Sequence, residues 1–275
     1  AAKAEEVFMS AASPGVISVF LANQHYPTRD AYLASLADAM RTEYEAIHRA
    51  GFLLQLDCPD LAMNRHIQFA DLTTAEFRKQ AAAQVEALNH ALANIPADAV
   101  RMHLCWGNYE GPHHRDIPLR DIVDIVLKAK PAGISFEASN PRHEHEWKIW
   151  KDVKLPAGKV LIPGVLDSST NFIEHPELVA ERITRFANAV GRENVIAGTD
   201  CGFSTFAGFT AVEPKITWAK LAAMAEGARI ASRELWKKST KAAPARKPVA
   251  KRAAKSAKST KSTKSAKTKA RGRRR

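Results

Sequence analysis

Short apolar segments that alternate with amphipathic helical segments are the feature that most restricts how this chain folds. Strand followed by helix, six times in succession, predicts a parallel sheet, because each connection must carry the chain back to the same end of the sheet. The six predicted strands are residues 16–21, 52–57, 100–106, 133–137, 159–165 and 194–197.

Helix start and stop signals separate these strands. Thr28 is placed to cap the first helix, and Gly51 to end it in a left-handed conformation. Thr73 and Glu76 form a capping-box pattern at the start of the second helix. Further helices are predicted from about residue 118, from residue 176 to a stop at Gly191, and over about 214–236.

Two parallel-sheet architectures fit this alternation, an open doubly wound sheet and a (β/α)8 TIM barrel. No Gly-x-Gly-x-x-Gly follows the first predicted strand, which weakens the case for a dinucleotide-binding sheet. Polar residues instead follow the ends of several different strands, as in a barrel whose active site lies at the C-terminal face. We predict an α/β barrel in residues 1–236 and expect this chain to hold the last six of the eight βα units.

Basic residues are concentrated at the end of the chain. The formal net charge is +12, but residues 237–275 carry 17 Lys and Arg and no acid, which leaves 24 bases against 29 acids before them. The segment is rich in Lys, Ala, Ser and Thr and resembles a histone H1-type tail in composition alone, so we predict a disordered tail. It is suited to non-specific contact with nucleic-acid phosphates, and a solvated appendage without a partner is the alternative.

The composition is that of a globular protein, with 45% hydrophobic and 25% charged residues. No run of about 20 apolar residues is present to span a bilayer. Residues 1–12 lack the basic-then-apolar pattern of a signal peptide. Three cysteines are too few for a secreted disulfide scaffold. We therefore expect a cytoplasmic protein without membrane contact.

Four side chains near strand ends have the chemistry of zinc ligands. His103 and Cys105 lie two residues apart in the third strand, so they point to one face of the sheet. Glu137 ends the fourth strand, where a charge beside apolar residues needs a partner. Cys201 follows the sixth strand within Asp-Cys-Gly. Imidazole, thiolate and carboxylate groups at one end of a sheet predict a zinc site.

Each of these residues also has a purely structural interpretation. A cysteine near a strand end is often a small buried hydrophobic residue, and a strand histidine is often a satisfied core residue. Glu137 has Arg142 nearby in the sequence as an ion-pair partner. Considered without further information, the residues favour the two interpretations about equally.

The order of these motifs resembles the C-terminal catalytic barrel of cobalamin-independent methionine synthases, over about residues 13–236. The resemblance implies that His103, Cys105, Glu137 and Cys201 bind zinc. The segment 56–61, Leu-Asp-Cys-Pro-Asp-Leu, resembles the family's Ile-Asp-Glu-Pro-Ala-Leu. This match implies that Asp57 holds the amino group of homocysteine, and a helix cap or turn is the structural alternative.

The chemistry implied by the resemblance is methyl transfer to a thiol. A bound zinc ion would lower the pKa of the thiol, so that the thiol would lose its proton to solvent and could attack a methyl carbon as a thiolate. In the family the methyl group comes from 5-methyltetrahydrofolate, the acceptor is homocysteine and the product is methionine. No cobalamin is needed.

The chain departs from the family pattern at two positions that bear on this chemistry. Cys58 stands where the family has a second acid. Residues 164–169 read Gly-Val-Leu-Asp-Ser-Ser where the family has Gly-Val-Tyr-Asp-Ile-His, so Ser169 replaces a proton-donating His. Asp167 stays in register, and we expect His175, six residues further on, to supply the missing acid, a helix cap being its alternative role.

Two loops contain histidine pairs, His113 with His114 and His143 with His145. Both loops leave strands that carry a predicted ligand, so these side chains are candidates to line a substrate entrance, although solvated loop residues are the usual finding. Two other functions stay open. One is alkyl transfer to another thiol, as in epoxyalkane:coenzyme M transferase, and the other is a nucleic-acid-associated protein that acts through its basic tail.

Overall fold

A parallel sheet forms the centre of the fold. The computed structural model describes residues 6–205, 208 and 210–237. Neighbouring strands are all parallel, and their order in the sheet is their order in the sequence. The strands are β1 (Phe8–Ala12), β2 (Leu53–Asp57), β3 (Val100–Leu104), β4 (Gly133–Phe136) and β5 (Val160–Pro163).

A sixth segment continues the sheet beyond β5. It pairs in parallel through two bridges, Leu161 with Val195 and Gly164 with Gly198. A doubly wound sheet reverses its strand order from the centre, whereas the strands of a barrel follow one another. The order of the described strands never reverses, so the prediction of an α/β barrel fold is confirmed and the doubly wound alternative is wrong.

Helices connect the strands. The longer ones are α2 (Arg29–Arg49), α4 (Thr74–Ala91), α6 (Pro176–Val190) and α7 (Pro214–Lys237), and the short ones are α1 (Pro14–Phe20), α3 (Asn64–Ile67) and α5 (Val123–Val126). The Thr28 cap, the capping box of Thr73 with Glu76, and the left-handed Gly191 at the end of α6 are all present. The strongest local sequence signals therefore produced the expected boundaries.

The first strand does not lie where the sequence predicts it. Residues 16–21, predicted as a strand, fall largely in α1, and the strand is Phe8–Ala12. The Ser13 side chain accepts a hydrogen bond from the Val16 amide at 2.9 Å, and Pro14 occupies the first turn. This cap and proline start a helix despite the strand-like run of apolar residues.

Three other boundaries differ from the prediction. The helix expected from residue 118 is a 3-10 turn, Leu119–Asp121, followed by the single turn of α5. The loop after β4 contains a 3-10 helix, Glu144–Lys151. In the predicted strand 194–197 only Val195 forms a bridge, because Arg192–Asn194 is a 3-10 turn that delays the extended backbone.

Alternation along the strands separates a packed face from a polar face. Leu54, Leu56, Met102 and Leu104 are fully buried or nearly so, and they belong to the main hydrophobic core. The intervening residues point to the other face, where a cavity of about 490 Å³ is lined by Gln55, Arg101, His103, Ser135, Ile162 and their neighbours. His103 therefore faces the polar side of the sheet.

The described part of the chain ends with α7. The chain divides into two units, residues 1–238 and 239–275, and α7 ends at Lys237. The predicted tail lies outside the described residues from residue 238 onward, so its disorder and its nucleic-acid contact stay predictions. Among the described helices, none is long and apolar enough to cross a membrane.

Ser13 is expected to contribute strongly to stability, because its hydroxyl has two partners. It caps α1 and donates to the buried carboxylate of Asp60 at 2.5 Å. We predict that Ser13→Ala lowers the free energy of unfolding by about 2 kcal/mol. Urea denaturation measures this change, with Ser10→Ala as the control because the Ser10 hydroxyl has no such partner among the described residues. Equal stability of the two variants would contradict the assignment.

Candidate metal centre

Three potential metal ligands meet at the C-terminal ends of the strands. His103 is in β3, Cys105 follows that strand directly, and Cys201 follows the sixth segment. Their ligand atoms all lie within 4.8 Å of one another, and the two sulfur atoms are 4.0 Å apart. The structure thus brings together three of the four residues that the sequence predicts as ligands.

The environment of His103 fits a metal ion. Its Nδ1 lies 3.2 Å from Ser135 Oγ, which orients the ring. Its Nε2 is buried and has no hydrogen-bond partner among the described residues. A buried nitrogen without a partner is costly, and a metal bound by Nε2 and the two sulfurs removes that cost. One imidazole and two thiolates are a ligand set that zinc prefers.

The three groups of the cluster shift one another's pKa values. The contact with Cys105 lowers the pKa of Cys201 well below its ordinary value, and the same contact raises the pKa of Cys105. Burial alone would lower the pKa of His103, but Cys201, Asp57 and Glu137 raise it to about 9. The raised pKa of His103 and the lowered pKa of Cys201 both favour a proton on the imidazole over one on the Cys201 sulfur. A metal must displace that proton, so binding releases protons and strengthens as the pH rises.

Glu137 is buried near this cluster but is not one of its three members. Its Oε1 accepts a hydrogen bond from the Trp106 amide at 2.8 Å, and its Oε2 accepts one from Asn140 Nδ2 at 2.8 Å. Burial and the charge of Asp200 raise its pKa to about 7. No ion pair with Arg142 is found among the described residues, so that structural interpretation of Glu137 is not supported.

Asp57 ends β2 beside the cluster. It pairs in register with His103, so the two side chains occupy the same layer on the same face of the sheet. Its carboxylate is exposed and makes no hydrogen bond to the described residues. Solvent reaches the carboxylate, yet the surrounding protein displaces enough water to raise its pKa. An exposed carboxylate without a partner beside a metal site is available for a ligand.

Asp167 lies in the loop after β5, and its carboxylate bonds to residues of the same turn. Asp167 Oδ1 accepts hydrogen bonds from the amide and the hydroxyl of Ser169, both at 2.8 Å, and Oδ2 accepts one from Thr170. His175 is exposed and accepts the Glu177 amide through Nδ1 at 3.2 Å, as a cap of α6. The structure therefore shows the capping role for His175 and a turn-forming role for Asp167.

The histidines of the two loops differ in their surroundings. Both nitrogens of His143 face carboxylates, Glu146 at 2.9 Å and Asp116 at 3.0 Å. The same oxygen of Asp116, Oδ2, also forms a hydrogen bond with His113 Nδ1 at 2.8 Å. Burial opposes the charge on His143, but the two carboxylates raise its pKa to about 9. These ion pairs join the loops after β3 and β4, whereas His114 and His145 are exposed.

Asp200 is a buried residue of the site that the sequence analysis missed. It precedes Cys201, and its carboxylate accepts the amides of Ala138 and Ser139 at 2.8 and 2.9 Å. The only sequence signal was the Asp of Asp-Cys-Gly, an acid next to a predicted ligand. Its role depends on a loop 60 residues away in the sequence, which no local pattern indicates.

A second cavity, of about 290 Å³, adjoins Glu137 and Asp200. The loops after β3, β4 and β5 form its walls, and its lining includes Asn108, Tyr109, Asn140, Asp167 and Ser169. His103 and Cys201 line the larger cavity. Glu137 therefore lies in the wall of the smaller cavity, and His103 and Cys201 lie in that of the larger one.

Known proteins share this arrangement of sequence and fold. The sequence model of the cobalamin-independent synthase catalytic domain matches residues 19–229. Methionine synthase of Saccharolobus solfataricus is 26% identical over 231 residues, which are 82% of this chain and 58% of the relative. Methionine synthase of Thermococcus kodakarensis is 24% identical over 237 residues, 86% of this chain and 60% of the relative.

A solved structure shows the same fold. The B12-independent methionine synthase from Shewanella sp. W3-18-1, in complex with selenomethionine, superposes with a TM-score of 0.65 at 20% identity, over 84% of this chain and 63% of that one. At this identity the likeness concerns the fold. The match of the family model covers well over half of the chain. The chain therefore belongs to the cobalamin-independent synthase family, within its catalytic domain.

Proposed function

We propose that this chain catalyses zinc-dependent methyl transfer to a thiol, with homocysteine as the acceptor and 5-methyltetrahydropteroylglutamate as the donor. The observation that carries the proposal is the cluster of His103, Cys105 and Cys201, in which the buried Nε2 of His103 has no partner among the described residues. Family membership supports the reaction class. The chain spans about three fifths of the length of the two methionine synthases, so activity and substrates need direct tests.

Zinc is the metal that this ligand set favours. Two thiolates and an imidazole are typical zinc ligands, and catalytic zinc sites use three protein ligands and keep one position for substrate or water. Glu137 is our candidate for a weaker fourth ligand. Each of its oxygens accepts one protein hydrogen bond, and a carboxylate oxygen has a second lone pair for a metal.

In this proposal the metal binds the thiol of the acceptor and Asp57 binds its ammonium group. When bound, zinc lowers the pKa of a substrate thiol, so that it can attack as a thiolate at neutral pH. Asp57 lies beside His103 in the sheet, and its carboxylate makes no hydrogen bond to the residues that the structure describes. We assign it to the ammonium group of homocysteine, which charge-assisted hydrogen bonds would orient.

The methyl donor needs an acid, because a tertiary amine leaves well only after protonation. The Ser169 hydroxyl donates to Asp167 and is a very weak acid. Asp167 and His175 remain the acid–base candidates from the sequence, with His175 as the donor. The second candidate function is transfer from a different alkyl donor with a better leaving group. The observation that favours it is that residue 169 is a serine, whose hydroxyl is too weak an acid to protonate a tertiary amine.

We also propose a cytoplasmic location. All three cysteines are free thiols, and Cys105 and Cys201 must stay reduced to bind a metal. A reducing compartment keeps them in that state.

We predict one zinc ion per chain in the purified protein, bound chiefly by the thiolates. Cys105→Ser or Cys201→Ser should abolish stoichiometric binding, whereas Glu137→Gln should weaken it less, because a carboxylate is a weaker ligand in this set. Metal analysis after dialysis measures the effect. Cys58→Ser is the matched control, because Cys58 is fully buried and bonds to Leu56 rather than to the cluster. Equal zinc in the Cys201→Ser and Cys58→Ser proteins would reject the site.

We predict that the zinc-loaded chain forms methionine from homocysteine and the methyl-folate, and that Asp57→Asn reduces its preference for homocysteine over 4-mercaptobutanoate. This thiol lacks the amino group, so only homocysteine uses the carboxylate. Loss of one hydrogen bond to a charged group corresponds to about 10–100-fold in kcat/KM. An unchanged preference would remove Asp57 from the acceptor site.

The same assay tests the proton donor. If His175 supplies the proton, His175→Asn slows transfer even though Asn caps helices well. Unchanged turnover would place the acid elsewhere. Transfer only from a more reactive donor, such as an S-methyl sulfonium compound, would favour the second candidate function.

A further inference from the structure

Asp200 and Asn140 connect two ligand-bearing segments that are not neighbours in the sheet. Glu137 follows β4 and Cys201 follows the sixth segment, with β5 between them. The Asp200 carboxylate reaches across β5 and accepts the amide of Asn140 at 2.9 Å, in addition to the amides of Ala138 and Ser139. The loop that begins directly after Glu137 is thus held by the residue directly before Cys201.

The side chain of Asn140 joins the two carboxylates. Its Nδ2 donates to Asp200 Oδ2 at 3.0 Å and to Glu137 Oε2 at 2.8 Å. Its Oδ1 accepts the amides of Arg142 and His143 at 3.0 and 3.2 Å. Both donors and the acceptor are therefore engaged, and the amide cannot rotate without losing several bonds.

Gly164, which directly follows β5, leaves room for this connection. A Cβ atom at position 164 would lie 2.0 Å from Asp200 Oδ1 and 2.6 Å from the Asp200 backbone nitrogen. The Gly164–Gly198 bridge brings the two backbones together at the same point. A glycine at 164 is thus required for the buried carboxylate to reach the loop.

We propose that Asp200 and Asn140 are positioning residues that set the orientation of Glu137 as a metal ligand. This inference rests on the proposed metal centre. Asp200 fixes Asn140, Asn140 holds one oxygen of Glu137, and the Trp106 amide holds the other. The plane of the carboxylate is then fixed before a metal arrives. Groups that orient a ligand in this way commonly change metal affinity about 10–100-fold.

The test is a double-mutant cycle on metal binding by the full chain. Asn140→Ala should lower zinc affinity about 10–100-fold in the parent protein. In the Glu137→Gln background it should change affinity by less than about twofold, because the carboxylate that Asn140 orients is no longer there, and this difference between the two backgrounds measures the coupling. Competition with a chromophoric chelator measures both values. Equal losses in the two backgrounds, or no loss in the parent, would overturn the proposal.

A spectroscopic readout separates orientation of Glu137 from general damage to the loop. In the Co²⁺-loaded protein, Asn140→Ala and Asn140→Asp should both shift the visible absorption bands. Asn140→Asp keeps the acceptor for the Arg142 and His143 amides, removes the donor and places a negative charge beside Glu137 and Asp200, whereas Asn140→Ala removes donor and acceptor without adding charge. Asn171→Ala is the matched control, because Asn171 accepts the Glu213 amide at 3.0 Å and makes no bond to Glu137. A parent-like spectrum in both Asn140 variants would contradict the proposal.

These readouts do not depend on catalysis. A protein that shows the coupling but transfers no methyl group rejects the proposed activity and keeps the role of Asn140. A protein that transfers methyl groups without the coupling rejects the role of Asn140 alone.

Discussion

The register of the parallel sheet determines which side chains can meet at the metal centre. His103 in β3 pairs in register with Asp57 in β2 and with Ser135 in β4. All three side chains therefore point to the polar face in a single layer. A shift of one residue in any of these strands would turn its polar side chains into the hydrophobic core. The packing of Leu54, Leu56, Met102 and Leu104 against the helices prevents that shift and thereby fixes the geometry of the site.

Hydrogen bonds from loop backbones balance the charges that this geometry buries. Glu137 and Asp200 are both buried acids, and backbone amides and the Asn140 side chain satisfy them. Both ring nitrogens of the buried His143 also have partners, which are the side-chain carboxylates of Glu146 and Asp116. His103 Nε2 is different, since it is buried and lacks a partner among the described residues. A few other buried polar atoms in the described part of the chain also lack a hydrogen-bond partner, among them Ser139 Oγ and Asp116 Oδ1, but His103 Nε2 lies beside two cysteine sulfurs, as a metal ligand would.

The sequence predicted those parts of the fold that have local causes. The helix caps at Thr28 and Thr73 depend only on neighbouring residues, and both are present as predicted. The spacing of His103 and Cys105 is also local, and their ligand atoms lie close together as that spacing predicts. Residues 16–21 were mispredicted because an apolar run fits a strand and a buried helix equally well, and the Ser13–Pro14 start signal decided the outcome. The role of Asp200 could not be predicted from the sequence, because it depends on contacts between segments about 60 residues apart.

The central claim is that His103, Cys105 and Cys201 together bind zinc, and X-ray absorption at the zinc edge tests it most directly. We predict two sulfur ligands at about 2.3 Å and nitrogen or oxygen ligands at about 2.0–2.2 Å. Cys201→Ser should reduce the sulfur count to one, and Cys58→Ser should leave it at two. A zinc shell of nitrogen and oxygen alone in the parent protein would contradict the account.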